Sequence, residues 1–231
     1  MSKYPIHYDL RFLFTRLSYV TASQASKQQL AFVNSAGNAI IKVDNTTNNL
    51  QINQDRNSVN IATKDYFAMG SVWVADMLHV PYGVSHHFFF FDWSTGISVF
   101  FTCGSPCPTL DALIRFIPPQ CSVWPAFWSQ APRWPTGGEI DTFEGVNMVT
   151  NSEVSLHTEP GCSIVKSTQT STIINNTDCS YLANSNSGCG IEVPDPKSYG
   201  AGFAAAGGGV FVTEYAATAI SYVVFKVVSF T

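Results

Sequence analysis

Three carboxylates, Glu139, Asp141 and Glu144, stand within six residues of a stretch that is otherwise apolar and strand-like, running from Trp134-Pro135-Thr136-Gly137-Gly138 through Glu139-Ile140-Asp141-Thr142-Phe143-Glu144 to Gly145-Val146-Asn147. Side chains alternate across a β-strand, so Glu139 and Asp141 share a face. Glu144 lies five positions from Glu139 and would point the other way in a regular strand. One extra residue, a β-bulge near Thr142-Phe143, returns it to the face of the other two. Like charges aligned on one strand repel one another, so such a set does little for stability. It suits acid/base chemistry in which neighbouring carboxyl groups have their pKa values pushed apart. The competing reading is a charged strand face in solvent.

The elements that must hold this strand read as strands themselves. Residues 38–43, 58–66, 70–80, 122–128, 154–158 and 209–215 have strand character, separated by turn-rich segments such as Asp44-Asn45-Thr46-Thr47-Asn48-Asn49. Within 70–80, Val72, Val74 and Met77 fit a period of two only imperfectly. No segment carries an amphipathic helix longer than two turns. Short strands with frequent turns predict an all-β domain, a β-sandwich or jelly roll. The 231 residues suffice for one such domain. Charged residues make up 12% of the chain and aromatics 13%, a balance suited to a carbohydrate cleft. A net charge of −4 gives no reason to expect nucleic acid or an anionic membrane as partner. No apolar run reaches the length of a membrane span.

Trp124, Trp128 and Trp134 flank the carboxylates, and Trp124 and Trp128 are an even number apart, on one strand face. Indole rings beside a carboxylate cluster suit sugar binding, because the apolar faces of glucose pack on them; the alternative is core tryptophan. The six cysteines, Cys103, Cys107, Cys121, Cys162, Cys179 and Cys189, suit disulfides in an oxidising compartment. Pairing among Cys162, Cys179 and Cys189 is expected, since they punctuate one Ser/Asn/Thr-rich region. Cys103 and Cys107 have no second Cys/His pair at zinc spacing, so no metal is expected. Asn45-Thr46-Thr47 and Asn175-Asn176-Thr177 have the form of glycosylation acceptors.

The pattern E-x-D-x-x-E after W-P-x-G-G resembles the catalytic strand of glycoside hydrolase family 16, in particular its fungal secreted endo-1,3(4)-β-glucanases, the laminarinases. Other pieces agree: Arg56-Asn57-Ser58-Val59, Gly70-Ser71-Val72-Trp73, Val80-Pro81-Tyr82-Gly83, Cys121-Ser122-Val123-Trp124-Pro125-Ala126-Phe127-Trp128, Leu156-His157-Thr158 and Ser198-Tyr199-Gly200-Ala201-Gly202-Phe203. The resemblance implies a concanavalin A-like jelly roll and retaining hydrolysis of β-glucan. It makes Glu139 the nucleophile, Glu144 the general acid/base and Asp141 the group assisting the nucleophile, the two glutamate carboxyls being about 5–5.5 Å apart. It places His157 in the cleft near the acid/base. Asn147 is a candidate for bonding sugar hydroxyls, and Arg56 for a distal sugar; Asn60 stands where relatives carry Arg. No cofactor is called for, the enzyme is expected as a secreted monomer, and the catalytic residues do not separate hydrolysis from transglycosylation. A lectin-like jelly roll would keep the tryptophans and lose the acids.

The chain departs from that pattern in three places. Residues 1–17 form an atypical N-terminal segment with no clean signal peptide, its apolar positions broken by Asp9, Arg11 and Arg16. The glucanase-like domain is expected over 18–221, with 222–231 an atypical end and the sandwich lacking strands at both ends. Residues 84–120 insert 37 residues between Tyr82-Gly83 and Cys121. Val84-Ser85 and Gln120 correspond to intron-border triplets, and the Phe-rich run and Pro118-Pro119 to pyrimidine tracts, so the segment reads as a retained intron. A long lid is the alternative, although Phe88 to Phe91 make it too apolar for an exposed loop. On the intron reading the chain is the product of a faulty gene model, and His86-His87 carry no chemistry.

Overall fold

The computed structural model describes residues 17–42, 44, 46–47, 56–82, 97–100, 124–146, 148–165, 168–174 and 176–225. In chain order its elements are β1 (Leu17–Tyr19), α1 (Ala22–Lys27), β2 (Ala31–Val33), β3 (Ala39–Ile41), β4 (Arg56–Ser58), β5 (Ser71–Met77), β6 (Ile97–Phe100), β7 (Ala126–Gln130), β8 (Glu139–Glu144), β9 (Glu153–His157), β10 (Thr172–Ile174), β11 (Cys189–Glu192), α2 (Gly200–Ala205), β12 (Gly209–Tyr215) and β13 (Ile220–Phe225). Among the described residues the larger sheet has six strands in the order β10-β11-β9-β8-β7-β6, all antiparallel neighbours. A second sheet, β13-β12-β5, lies against its inner face. Two small pairs also form, β1 with β4 and β2 with β3.

The two layers meet through aromatic side chains. Phe143 of β8 contacts Phe211 of β12 edge-on, with ring centroids 4.9 Å apart, and packs against Tyr199 and Phe203 as well. All four are buried. Burying one such ring contributes about 1.5–3 kcal/mol, and each aromatic pair about 0.5–1.5 kcal/mol more. A polar contact also bridges the sheets, from the Thr213 hydroxyl of β12 to that of Thr142 at 3.2 Å.

In β5 the inward residues are Trp73, Ala75 and Met77, while Val72 and Val74 face out. A register that buries the valines would expel Trp73, because one residue of slip turns every side chain over. The strand expected over 58–66 does not form: β4 ends at Ser58, the first residue of that span, and Lys64 and Asp65 form a bend. Near the start of the described chain, α1 is closed at its N-terminus by Thr21 and Gln24 in a reciprocal capping box. From the segment 84–120 the described part is β6, the edge strand beside β7; His86, His87, Phe88 to Phe91, Cys103 and Cys107 lie outside the described residues, as do Cys121, Asn45 and Asn175. At the other end β13 pairs with β12 along its whole length to Phe225, past the boundary expected at 221.

Candidate active site

Trp134 to Gly138 form the turn into β8. Gly137 and Gly138 both have positive φ, 91° and 83°, a conformation open to glycine. The turn is closed by Gly138 N–H donating to the Pro135 carbonyl at 2.9 Å and by Ala131 N–H donating to the Gly138 carbonyl at 3.0 Å. It delivers Glu139 opposite Gln130 on one side and His157 on the other.

Within β8 the register breaks once on each side. Against β7, Trp128 pairs with Asp141 and the preceding Phe127 with Phe143, so β8 carries one residue more. Against β9, Asp141 pairs with Ser155 and Glu144 with Glu153, again one residue more in β8. Thr142 is thus the extra residue of a β-bulge. Thr142 and Phe143 both turn inward, Thr142 to Thr213 and Phe143 into the aromatic core. Ile140 packs against the same core. The consequence is the one required by the spacing: Glu139, Asp141 and Glu144 are left together on the opposite face.

Each carboxylate there has defined partners. The Trp134 indole N–H donates to Glu139 Oε2. The Trp124 indole N–H donates to Glu144 Oε1 at 3.0 Å. Ser155 Oγ lies 2.9 Å from Asp141 Oδ2 and 3.1 Å from Glu144 Oε2. His157 Nε2 lies 3.3 Å from Asp141 Oδ2, and its Nδ1 lies 3.2 Å from Asn186 Oδ1. An amide oxygen only accepts, so Nδ1 carries a proton, and protonation of Nε2 then makes His157 a cation paired with Asp141.

Burial raises Glu139 to about 8, with the charge of Asp141 adding to it; His157 and the Trp134 N–H pull the other way. Burial, and again Asp141, hold Glu144 well above the usual carboxylate range, against the bonds from Ser155 and Trp124. For His157 burial opposes the charged form, but the bond to Asp141 and the charges of Asp141 and Glu139 outweigh it and raise its pKa. A cation, a carboxylate and two carboxyl groups with elevated pKa values can hold and move a proton while presenting a carboxylate nucleophile.

The loop that positions His157 is strained. Asn184, Ser185 and Asn186 all have positive φ, at 50°, 57° and 62°; asparagine visits this region more readily than other non-glycine residues, so the cost falls chiefly on Ser185, about 1–2 kcal/mol. The disulfide Cys179–Cys189 ties this loop to β11, and Asn176 Nδ2 donates to the Gly188 carbonyl at 2.9 Å. Gly188 has φ 64°, and a Cβ there would collide with the Leu156 carbonyl and the His157 ring. Among the described residues Cys162 keeps a free, exposed thiol. At the far end of β8, the buried Tyr199 hydroxyl lies 3.0 Å from the Pro81 carbonyl and 3.1 Å from that of Gly145. Its ring fills the space that a side chain at position 145 would take.

Seven residues singled out from sequence converge here: Glu139, Asp141, Glu144, Trp124, Trp128, Trp134 and His157. Trp128 stands half-buried across from Asp141. His157 is at the Glu139 end rather than beside Glu144, because β9 is antiparallel and its last residue meets the first of β8. Arg56 belongs to β4, outside the six-stranded sheet; its side chain, and all of Asn147, lie outside the described residues. Glu214 is on the outer face of the second sheet, since its neighbour Thr213 points inward to β8. Sequence reasoning missed Ser155 and Asn186. Glu153 too is half-buried across from Glu144, its pKa raised by burial and by Glu192. Period two was the available signal: Glu153, Ser155 and His157 share one strand face.

The comparisons with known proteins agree with this geometry. A family model described as the XgeA-like, catalytic GH16 domain matches residues 15–96 and 112–230. A probable glycosidase of Schizosaccharomyces pombe is 33% identical over 203 residues, covering 86% of this chain and 38% of the relative. An endo-1,3(4)-beta-glucanase of Arthroderma benhamiae is 31% identical over 210 residues, covering 89% of this chain and 37% of the relative. The chain therefore spans less than two fifths of the length of these two relatives. Among solved structures, GH16 laminarinase 16A from Phanerochaete chrysosporium, with 6-O-glucosyl-laminaritriose in donor and acceptor sites, superposes with a TM-score of 0.72 at 27% identity, covering 94% of this chain and 60% of that one. The bulged acidic strand, the two-sheet jelly roll and the match along most of its length make this chain a member of glycoside hydrolase family 16, of the XgeA-like catalytic type.

Proposed function

We propose that this chain carries an endo-acting, retaining glycoside hydrolase site for β-1,3(4)-glucans. The observation that carries the reading is the bulge at Thr142, which leaves two glutamates of one strand on the same face with Asp141 between them. Glu139 attacks the anomeric carbon while Glu144 protonates the departing oxygen. A water deprotonated by Glu144 then hydrolyses the glycosyl-enzyme. Asp141, paired with His157, keeps negative charge next to the nucleophile and steadies its orientation. Trp124, Trp128 and Trp134 offer ring faces to successive glucose units, and Arg56 and Asn147 extend the polar contacts. The names of the glucanase and laminarinase relatives support the choice of substrate.

We further infer a secreted, monomeric enzyme, on the strength of the fungal relatives and the disulfide. Among the described residues no helix is long and apolar enough to cross a membrane. Within the domain, 84–120 is read as an insertion; the gap between the two stretches matched by the family model, 97–111, falls inside it. Sequencing the transcript tests this, since a spliced message joins Gly83 directly to Cys121.

The central experiment is Glu139→Gln in a chain expressed from the spliced message, without 84–120, assayed on laminarin and mixed-linkage β-glucan. A loss of at least ~10³-fold in kcat is expected, with the unsubstituted enzyme releasing oligosaccharides of retained anomeric configuration by NMR. Unchanged cleavage by Glu139→Gln would falsify the assignment. Products longer than the substrate would show transglycosylation instead of hydrolysis.

A further inference from the structure

One hydroxyl stands between two carboxyl groups. Ser155, 9% exposed on β9, has its Oγ 2.9 Å from Asp141 Oδ2 and 3.1 Å from Glu144 Oε2. A hydroxyl has a single proton to donate and two lone pairs to accept with. It therefore satisfies both neighbours only when one of them is itself protonated. Asp141 has a second donor in His157 at 3.3 Å. Glu144 has the Trp124 N–H, on its other oxygen.

We propose that Ser155 is a positioning residue for Glu144, its hydroxyl proton turning between Asp141 and Glu144 in step with the acid/base cycle. This rests on the reading of Glu144 as acid/base. With Glu144 protonated, its O–H donates to Ser155 Oγ and Ser155 donates to Asp141. When Glu144 gives its proton to the departing glycosidic oxygen, the Ser155 O–H rotates onto the new Glu144 carboxylate, and His157 continues to hold Asp141. When Glu144 takes a proton from the attacking water, the hydroxyl turns back. No bond to the Ser155 proton breaks, and the proton leaving Glu144 in the first step is replaced in the second. The elevated pKa of Glu144 accords with the protonated starting state. The serine thus gives the acid/base a hydrogen bond in both charge states, which a fixed donor such as an indole N–H does not.

The test compares laminarin with a laminaribioside bearing 2,4-dinitrophenolate, a leaving group that departs without protonation. Ser155→Ala is expected to lower kcat on laminarin about 10–100-fold with KM changed by no more than about two-fold. On the dinitrophenyl substrate, the first-step rate measured by the phenolate burst stays within about three-fold of the unsubstituted enzyme. Ser155→Thr, which keeps the hydroxyl, restores laminarin hydrolysis. Equal losses on both substrates, no loss on laminarin, or failure of the threonine variant would overturn the proposal. Glu144→Ala run in parallel separates the two claims. If it shows the leaving-group dependence and Ser155→Ala does not, the serine's role falls and the acid/base reading stands. If Glu144→Ala lacks that dependence too, both fall together.

Discussion

The two ends of β8 are built alike and tuned differently. Each glutamate accepts a bond from an indole N–H: Trp134 serves Glu139 and Trp124 serves Glu144. Each is raised by burial and by the shared neighbour Asp141. The difference lies in the third partner. At the Glu139 end it is His157, whose positive charge favours the carboxylate. At the Glu144 end it is Ser155, a neutral hydroxyl that accepts as readily as it donates. A cation on one side and a hydroxyl on the other separate two otherwise equivalent acids into a nucleophile and a proton carrier.

Removing the cation should erase much of that difference. His157→Gln is expected to lower kcat/KM about 100-fold below neutral pH, and less above it. The sign follows from the charge: His157 lowers the pKa of Glu139, so its loss raises that pKa and moves the acidic limb of the kcat/KM profile upward. A profile that drops uniformly, without displacement, would show that His157 acts only on shape.

A smaller effect should come from the anchor behind the Glu144 end. Tyr199→Phe removes the hydroxyl that reaches the Pro81 and Gly145 carbonyls and is expected to cost about 1–2 kcal/mol of stability by denaturant unfolding. It should disturb activity on laminarin more than activity on the dinitrophenyl substrate, because it loosens the Glu144 end while the turn at Glu139 stays as it is. Equal disturbance of both would mean that the two ends move as one body.

The last effect concerns stability against pH. Glu139 goes from its ordinary 4.5 to about 8 in the fold. The native state therefore binds this proton more tightly than the unfolded chain. Its stabilising contribution is fully present below about 4.5 and is lost as pH rises through about 8. Glu139→Gln has no such proton to lose. Its melting temperature should match the unsubstituted protein near pH ~4 and exceed it at pH ~8. Parallel melting curves at all pH values would contradict the assignment of that pKa.

Much of this site could be read before any coordinates, and for definable reasons. The bulge was legible because three acids at offsets of two and three fit one strand face only with an extra residue between Asp141 and Glu144. The sandwich was legible from the density of short strands and turns. In β5 the same reasoning grouped Val72 and Val74 with Met77, since it ranked side chains by type; the choice of face was made by Trp73 and Met77 finding room in the core. His157 was named from sequence and yet put at the other end of β8, because the direction of β9 relative to β8 is not written in either strand.

What the amino-acid order determined by itself is local: which residues alternate, where the ladder must break, and that three acids end on one side. Those properties follow from backbone geometry over a few residues. What only the tertiary structure decided is which distant groups meet the acids: Ser155 between Asp141 and Glu144, Asn186 behind His157, and the two indole N–H groups at opposite ends. Those meetings depend on strand register and on the path of the loop tied by Cys179–Cys189. Register is selected by the packing of whole faces, and that selection is a property of the assembled sheets rather than of any one segment.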